Sequence, residues 1–227
     1  MYYAIEKILG KCKCTTVACG YSEYEEAQKI TKNVVCIHNG IDLGSIDADI
    51  KKAGNVKTDA QDDDGLVVMT LGRICEQKNP KLFNEIAERM PEVKFLWVGD
   101  GEQRDVLSST NIEITGWLER GRAVSEALRG KVFLLTSLYE GLPISLLEAM
   151  YMKKVCVVSN VTGNRDVIHN DVNGYLCDTV EDFVNAITTA MSENNKNDVL
   201  IQNAYNDVLK EYNSDCVGEK YMKVYNG

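Results

Sequence analysis

The chain has 227 residues, enough for one sizeable domain with appendages, and its 44% hydrophobic content suits a globular protein. A formal net charge of −9 and a pI near 4.9 argue against a nucleic-acid-binding surface, although a few local cations can still serve an anionic ligand. No run approaches the roughly 18 uninterrupted apolar residues of a membrane span, and the opening MYYAIEKILGKCK lacks a secretory profile.

In chain order, residues 1–33 read as helix, short strand (Thr15 to Cys19) and helix (SEYEEAQKI, with Ser22 as cap and Glu25 three on). A strand NVVCI then leads into His38-Asn39-Gly40-Ile41-Asp42, whose Asn-Gly predicts a turn. The stretch from Lys51 to Gly65 is polar, acidic and aperiodic, a surface loop. Beyond it strands and helices alternate: LVVMTLG, a helix from Pro80 to Met90, VKFLWVG, a helix from Glu102, NIEITG, a helix from Glu119 to Leu128, KVFLLT, a helix opening near Pro143, and KVCVVS. A short last strand is expected at Gly174 to Cys177, then helices at Val180–Met191, about Asn197–Tyr212 and Ser214–Tyr225. Continuous apolar strands alternating with helices predict an α/β fold, a Rossmann-like parallel sheet covered on both faces.

Eight cysteines raise the question of a metal or disulfide framework. Cys12 and Cys14 form one close pair, but no second pair follows at zinc-like spacing. Cys19, Cys36 and Cys156 sit in apolar runs, where a thiol acts as a small hydrophobe. Reduced cytosolic cysteines and no metal site are the expectation.

The chemistry concentrates in TSLYEGLPISLLEAMYM, Thr136 to Met152. On a helical wheel Ile144, Leu146, Leu147, Ala149, Met150 and Tyr151 go almost all the way round, interrupted by Ser145 and Glu148 in one narrow sector. A carboxylate on such a helix needs a partner, because burying it unpaired costs several kcal/mol. Glu140 precedes it by eight positions, and a helix N-terminus, a ready anion site, lies between the two. Upstream, Gly72 ends an apolar strand where a ligand can approach the backbone. Arg73 and Lys78 follow, a planar fork and a point charge for phosphate oxygens.

E-G-L-P-x-S-x-x-E-A-M resembles the signature of retaining nucleotide-sugar glycosyltransferases with the GT-B fold, the glycogen-synthase-like group. The resemblance covers most of the chain and implies the C-terminal, donor-binding half of such an enzyme. By it, residues 1–40 are a remnant of the acceptor domain plus linker, 41–211 the nucleotide-sugar domain and 212–227 the closing helix, so the chain is a piece of a longer enzyme.

The resemblance also implies roles. Arg73 and Lys78 would hold the diphosphate, Glu148 would accept from the ribose diol and Glu140 from a donor-sugar hydroxyl. The N–H groups of Gly141 and Leu142 would face the sugar or distal phosphate. Gly99, in VGDGE, would lie near the nucleotide, and Trp117-Leu118 would contact the base. The implied function is transfer of a hexosyl group from a nucleotide diphosphate to a hydroxyl of a glycan or lipid-linked acceptor, without a cofactor or metal. The setting would be the cytoplasm, with the full-length enzyme at the inner membrane face. The fragment itself would be inactive, or a nucleotide-sugar-binding module without turnover. Blander readings exist for each residue: a solvated basic loop for Arg73 and Lys78, a surface carboxylate for Glu148, a packed side chain for Trp117, satisfied polar residues for His38 and His169. A glycosidase pair of carboxylates leaves Arg73 and Lys78 without a role, and the place of Asp166 is open.

Overall fold

A computed structural model describes residues 14–54, 67–192 and 195–226. The helix expected at the start, Cys12, and the polar tract from Asn55 to Gly65 lie outside the described residues. Two parallel strands, β1 (Thr16–Ala18) and β2 (Val34–Cys36), flank α1 (Tyr21–Gln28) and form a small sheet of their own. The main sheet has β3 (Val67–Leu71), β4 (Lys94–Val98), β5 (Ile112–Ile114), β6 (Val132–Leu135), β7 (Val155–Ser159) and β8 (Tyr175–Cys177). All pairs are parallel, in the order β5-β4-β3-β6-β7-β8. This is the doubly wound order in which the chain starts mid-sheet and works outward to each edge in turn.

Around it lie α2 (Leu43–Gly54), α3 (Pro80–Arg89), α4 (Arg120–Leu128), α5 (Ile144–Tyr151), α6 (Thr162–Arg165), α7 (Val180–Met191), α8 (Asn195–Glu211) and α9 (Ser214–Asn226). Period-two alternation sends each strand's residues into two cores. Val68, Phe95, Trp97, Leu134 and Val157 pack with α3 and α7, whereas Met69, Leu96, Phe133, Leu135 and Val158 pack with α2, α4 and α5. Both faces are therefore covered, which is why the strands read as unbroken apolar runs. Phe83 of α3 meets Phe95 at 5.6 Å and Trp97 at 4.8 Å, both edge-on. Truncating it to alanine would cost about 3 kcal/mol or more. Among the described residues no helix is long and apolar enough to cross a membrane.

The structure departs from the sequence reading in five places. Lys51 to Gly54 are the end of α2 rather than loop. That helix is capped by Asp42, whose carboxylate accepts from the Ser45 N–H (3.0 Å) and Oγ (2.6 Å), and Leu43, Ile46 and Ile50 recur at helical spacing along it. The helix expected from Glu102 is only a 3₁₀ turn, Arg104–Val106. Beyond that turn the Ser108 and Ser109 N–H groups are drawn to Asn84 Oδ1, both at 2.8 Å. Ser22 does not cap α1, since Gly20 holds that position. Instead its N–H and Oγ donate to Asp166, at 3.1 and 2.8 Å, so Asp166 faces α1. Asn39-Gly40 makes no turn, because Ile41 donates to Tyr212 O and accepts from the Ser214 N–H, which holds the segment extended.

The fifth departure is His38. Rather than a satisfied polar residue, it is 4% exposed, and among the described residues neither ring nitrogen has a partner. Its ring lies between Tyr21, edge-on at 5.0 Å, and Tyr212, stacked at 5.2 Å. Burial, reinforced by the Lys220 charge, holds the imidazole below its ordinary range. The folded state therefore prefers the neutral ring, and the stability this gives is complete above the unfolded value of about 6.5 and declines as pH falls below it. His38→Phe keeps the ring contacts and removes the titration. Its urea midpoint should fall less between pH 7.5 and 5.5 than that of the parent. Equal falls would place the acid sensitivity elsewhere.

Candidate functional site

Strands β3 and β6 are neighbours, yet the chain leaves β3 toward one edge of the sheet and β6 toward the other. Their following loops diverge, and the crevice between them at the carboxyl ends is where such sheets take ligands. Both loops carry the residues singled out from sequence. They are stitched together: Gln77 O accepts the Leu138 N–H (2.8 Å), the Gln77 amide donates to Tyr139 O (3.1 Å), and Thr136 Oγ donates to Lys78 O (2.8 Å). Asn79, at φ 50°, ends the 3₁₀ turn Glu76–Lys78 and caps α3 through Leu82 N–H.

Across this seam Lys78 Nζ meets Glu140 Oε1 at 2.6 Å, with side chains 17% and 6% exposed. Ser137 Oγ donates to the same oxygen at 2.6 Å and Gln77 Nε2 approaches the other at 3.4 Å. The buried carboxylate is thus held by donors from both loops. Leu142 is buried, and its carbonyl accepts from Asn39 Nδ2 at 3.2 Å. Pro143 is the N-cap of α5, with φ −75° and ψ 116°. Its carbonyl accepts from the Leu146 and Leu147 N–H groups, while those of Ile144 and Ser145 have no helical acceptor by geometry. Ile144 is exposed, so the apolar wheel is open at this first turn.

Beside the pair lies a cavity of about 660 Å³ that gathers Gly72, Arg73, Gly99, Trp117, Leu118, Ser145 and Glu148 into one wall. Lys78, Glu140, Gly141 and Leu142 do not line it. The pair still borders it, since a Cβ on Gly72 would sit 3.6 Å from Lys78 Cε. Gly72 and Gly99 have φ of +144° and +145°, and a Cβ on Gly99 would fall 2.1 Å from Gly72 O. Only glycines let the two strand ends come this close beneath the cavity floor. Trp117 is 78% exposed, which removes the packed reading and leaves its indole face open beside the cavity.

Glu148 is neither a solvated surface carboxylate nor unpaired: its side chain is 14% exposed and Oε1 forms an ion pair with Arg120 Nη1, 2.8 Å away. Arg120 Nε also lies 3.4 Å from Asp49 Oδ2. Neither Arg120 nor Asp49 is distinguishable in sequence, because WLERGRAV offers two arginines without a cue and the lysines and acids of α2 obscure its helical pattern. Arg73 points outward, 73% exposed, and pairs with Glu102 at 3.0 Å. His169 is exposed.

A doubly wound parallel sheet with a glycine-floored crevice at its switch point has the architecture of one half of a GT-B fold. The chain belongs to the glycosyl transferases group 1 family, which matches residues 54–207. It is 29% identical over 230 residues to an Escherichia coli UDP-Gal:alpha-D-GlcNAc-diphosphoundecaprenol alpha-1,3-galactosyltransferase, covering 88% of this chain and 57% of that enzyme. It is 27% identical to a Campylobacter jejuni GalNAc-alpha-(1->4)-GalNAc-alpha-(1->3)-diNAcBac-PP-undecaprenol alpha-1,4-N-acetyl-D-galactosaminyltransferase, over 70% of this chain and 47% of that one. The chain thus spans about half the length of these relatives. HepE of Anabaena, solved in complex with UDP-glucose, superposes with a TM-score of 0.83 at 16% identity, over all of this chain and 68% of HepE.

The seam between the loops carries a stability cost that can be measured. Lys78→Met should leave Glu140 buried without its counter-charge and lower unfolding free energy by about 3–5 kcal/mol. Adding Glu140→Leu should recover part of that loss. A single variant as stable as the parent in urea would show that the pair does not hold the loops.

Proposed function

We propose that this chain carries the donor-binding part of a retaining glycosyltransferase that moves a hexosyl group from a nucleotide diphosphate sugar to an acceptor hydroxyl. The observation that carries the reading is one cavity at the switch point holding Gly72, Arg73, Gly99, Trp117 and Glu148, with Lys78 and Glu140 on its border. In it, Glu148 accepts hydrogen bonds from the ribose diol, and Trp117 and Leu118 flank the base. Arg73 swings from its exposed pair with Glu102 onto the diphosphate at little cost, because such surface pairs are worth about 1 kcal/mol or less. Lys78 holds the phosphate beside the donor sugar, Glu140 accepts from a sugar hydroxyl, and Gly141 and Leu142 offer N–H groups at the helix start.

Negative charge develops on the diphosphate as the sugar leaves. Arg73, Lys78 and the first turn of α5 supply preorganised stabilisation for it, in place of a metal. The complexes of HepE support UDP as the nucleotide, and the undecaprenol-linked substrates named for the two enzymes support a lipid-linked acceptor and work at the inner membrane face. Transfer to such an acceptor would need the half of its relatives that this chain does not span. On this reading residues 1–40, including the small sheet, belong with that other half, residues 41–211 form the donor domain and 212–227 close it.

Calorimetry with UDP, uridine and UDP-glucose tests the assignments. Arg73→Ala should weaken UDP by a contact worth about 1.5–3 kcal/mol and leave uridine unchanged. Equal losses would place the guanidinium away from phosphate. Glu140→Gln should bind UDP as the parent does and lose affinity only for the sugar nucleotide. Glu148→Gln should weaken both, since an amide offers one acceptor oxygen where a diol needs two. If Glu140→Gln weakens UDP as much as UDP-glucose, or Glu148→Gln weakens neither, the roles are wrongly assigned.

A further inference from the structure

Arg120 stands at the first position of α4, where the helix dipole disfavours a cation. Two carboxylates from two other helices offset that cost, Glu148 of α5 at 2.8 Å and Asp49 of α2 at 3.4 Å. Both acids are nearly buried, with side chains 14% and 13% exposed. Without the guanidinium they would be two like charges facing one another out of water. Two of these three helices are braced nearby, as Tyr151 Oη of α5 donates to Asp47 Oδ1 of α2 at 2.9 Å. Arg120 itself lies outside the cavity wall, behind the Glu148 carboxylate.

Arg120 comes nearest to Glu148 at Oε1, and among the described residues no hydrogen bond is made to Oε2. A guanidinium held between Asp49 on one side and Oε1 on the other restrains that carboxylate by charge, and the lone pairs of Oε2 remain for a ligand. We propose that Arg120, anchored by Asp49, is a positioning residue that holds Glu148 in the orientation that accepts a ribose diol, so that this three-helix ion triad sets the preference for ribonucleotides over sugars lacking the diol. The proposal rests on the role given above to Glu148.

The test compares UDP with 2′,3′-dideoxy-UDP by calorimetry on the 227-residue chain. The parent should prefer UDP. In Arg120→Ala and in Arg120→Gln, which keeps the aliphatic stem, UDP affinity should drop about tenfold while dideoxy-UDP is unchanged, the loss expected when one charge-assisted contact is misaligned. Arg120→Lys should restore part of the preference, as a point charge reaches one carboxylate but cannot bridge both. General damage to the fold would weaken both ligands alike, so the ratio of the two affinities separates positioning from mere stability. A parent that prefers UDP, with folded Arg120 variants that keep the ratio or lose both ligands equally, overturns this inference alone. A parent that does not distinguish the two ligands overturns the ribose role of Glu148 and this inference with it.

Discussion

The opposite exits of the chain from β3 and β6 are the constraint on which the site depends. Two adjacent parallel strands followed by loops that turn toward different edges cannot close over their own carboxyl ends. The crevice is thus a consequence of strand order, before any particular side chain is considered. What the side chains add is a floor and two rims. Gly72 and Gly99 let the ends of β3 and β4 touch through backbone alone, with the Trp97 indole N–H fastened to Gly72 O at 2.9 Å. The rims are the loops 72–79 and 136–143, and the bonds from Gln77, Thr136 and Lys78 keep them from splaying.

Charge is arranged on the same logic. In a chain of net charge −9, each cation at the site has its own carboxylate: Arg73 with Glu102, Lys78 with Glu140, Arg120 with Glu148. The three pairs differ in burial, and burial decides which can be rearranged. Arg73 and Glu102 are mostly in water, so their pair breaks and re-forms cheaply. Lys78 and Glu140 are almost enclosed, and separating them without a replacement partner leaves an uncompensated charge. An anionic ligand would therefore recruit Arg73 by motion and Lys78 where it stands, using the ammonium's remaining donors.

Much of this was legible in the sequence, for reasons that vary by element. Strands β3, β4, β6 and β7 are buried on both faces, and short unbroken apolar runs between turn residues suit little else. Gly72, Arg73, Glu140 and Glu148 stand at fixed offsets from those runs, so placing the strands placed them. Elements whose structure depends on tertiary partners were not legible. The segment after Gly101 holds too few apolar residues for a helix face, and Asn84 of α3 captures its N–H groups. Ser22 carries the chemistry of a cap but meets Asp166, far away in sequence. Helix α2 was masked by its lysines and acids, and with it went Asp49 and the reason for Arg120.

The loop that bears Glu140 is also the contact between the small sheet and the large one. Asn39, just after β2, donates to Leu142 O, and a Cβ on Gly141 would come within 3.1 Å of Glu23 Oε1 from α1. From the other side a Cβ on Gly163 of α6 would fall 2.1 Å from Gly141 O, so the loop is gripped between α1 and α6. Ser22 and Asp166 close the same gap a few residues away. A shift of the small sheet against the large one would have to move Gly141 or break these contacts. Because Glu140 is tied by Ser137 and Lys78 to the main sheet, the strain of such a shift would fall on the two residues after it. Glu140 is therefore held by the main sheet, whereas Gly141 and Leu142 are held by both sheets at once.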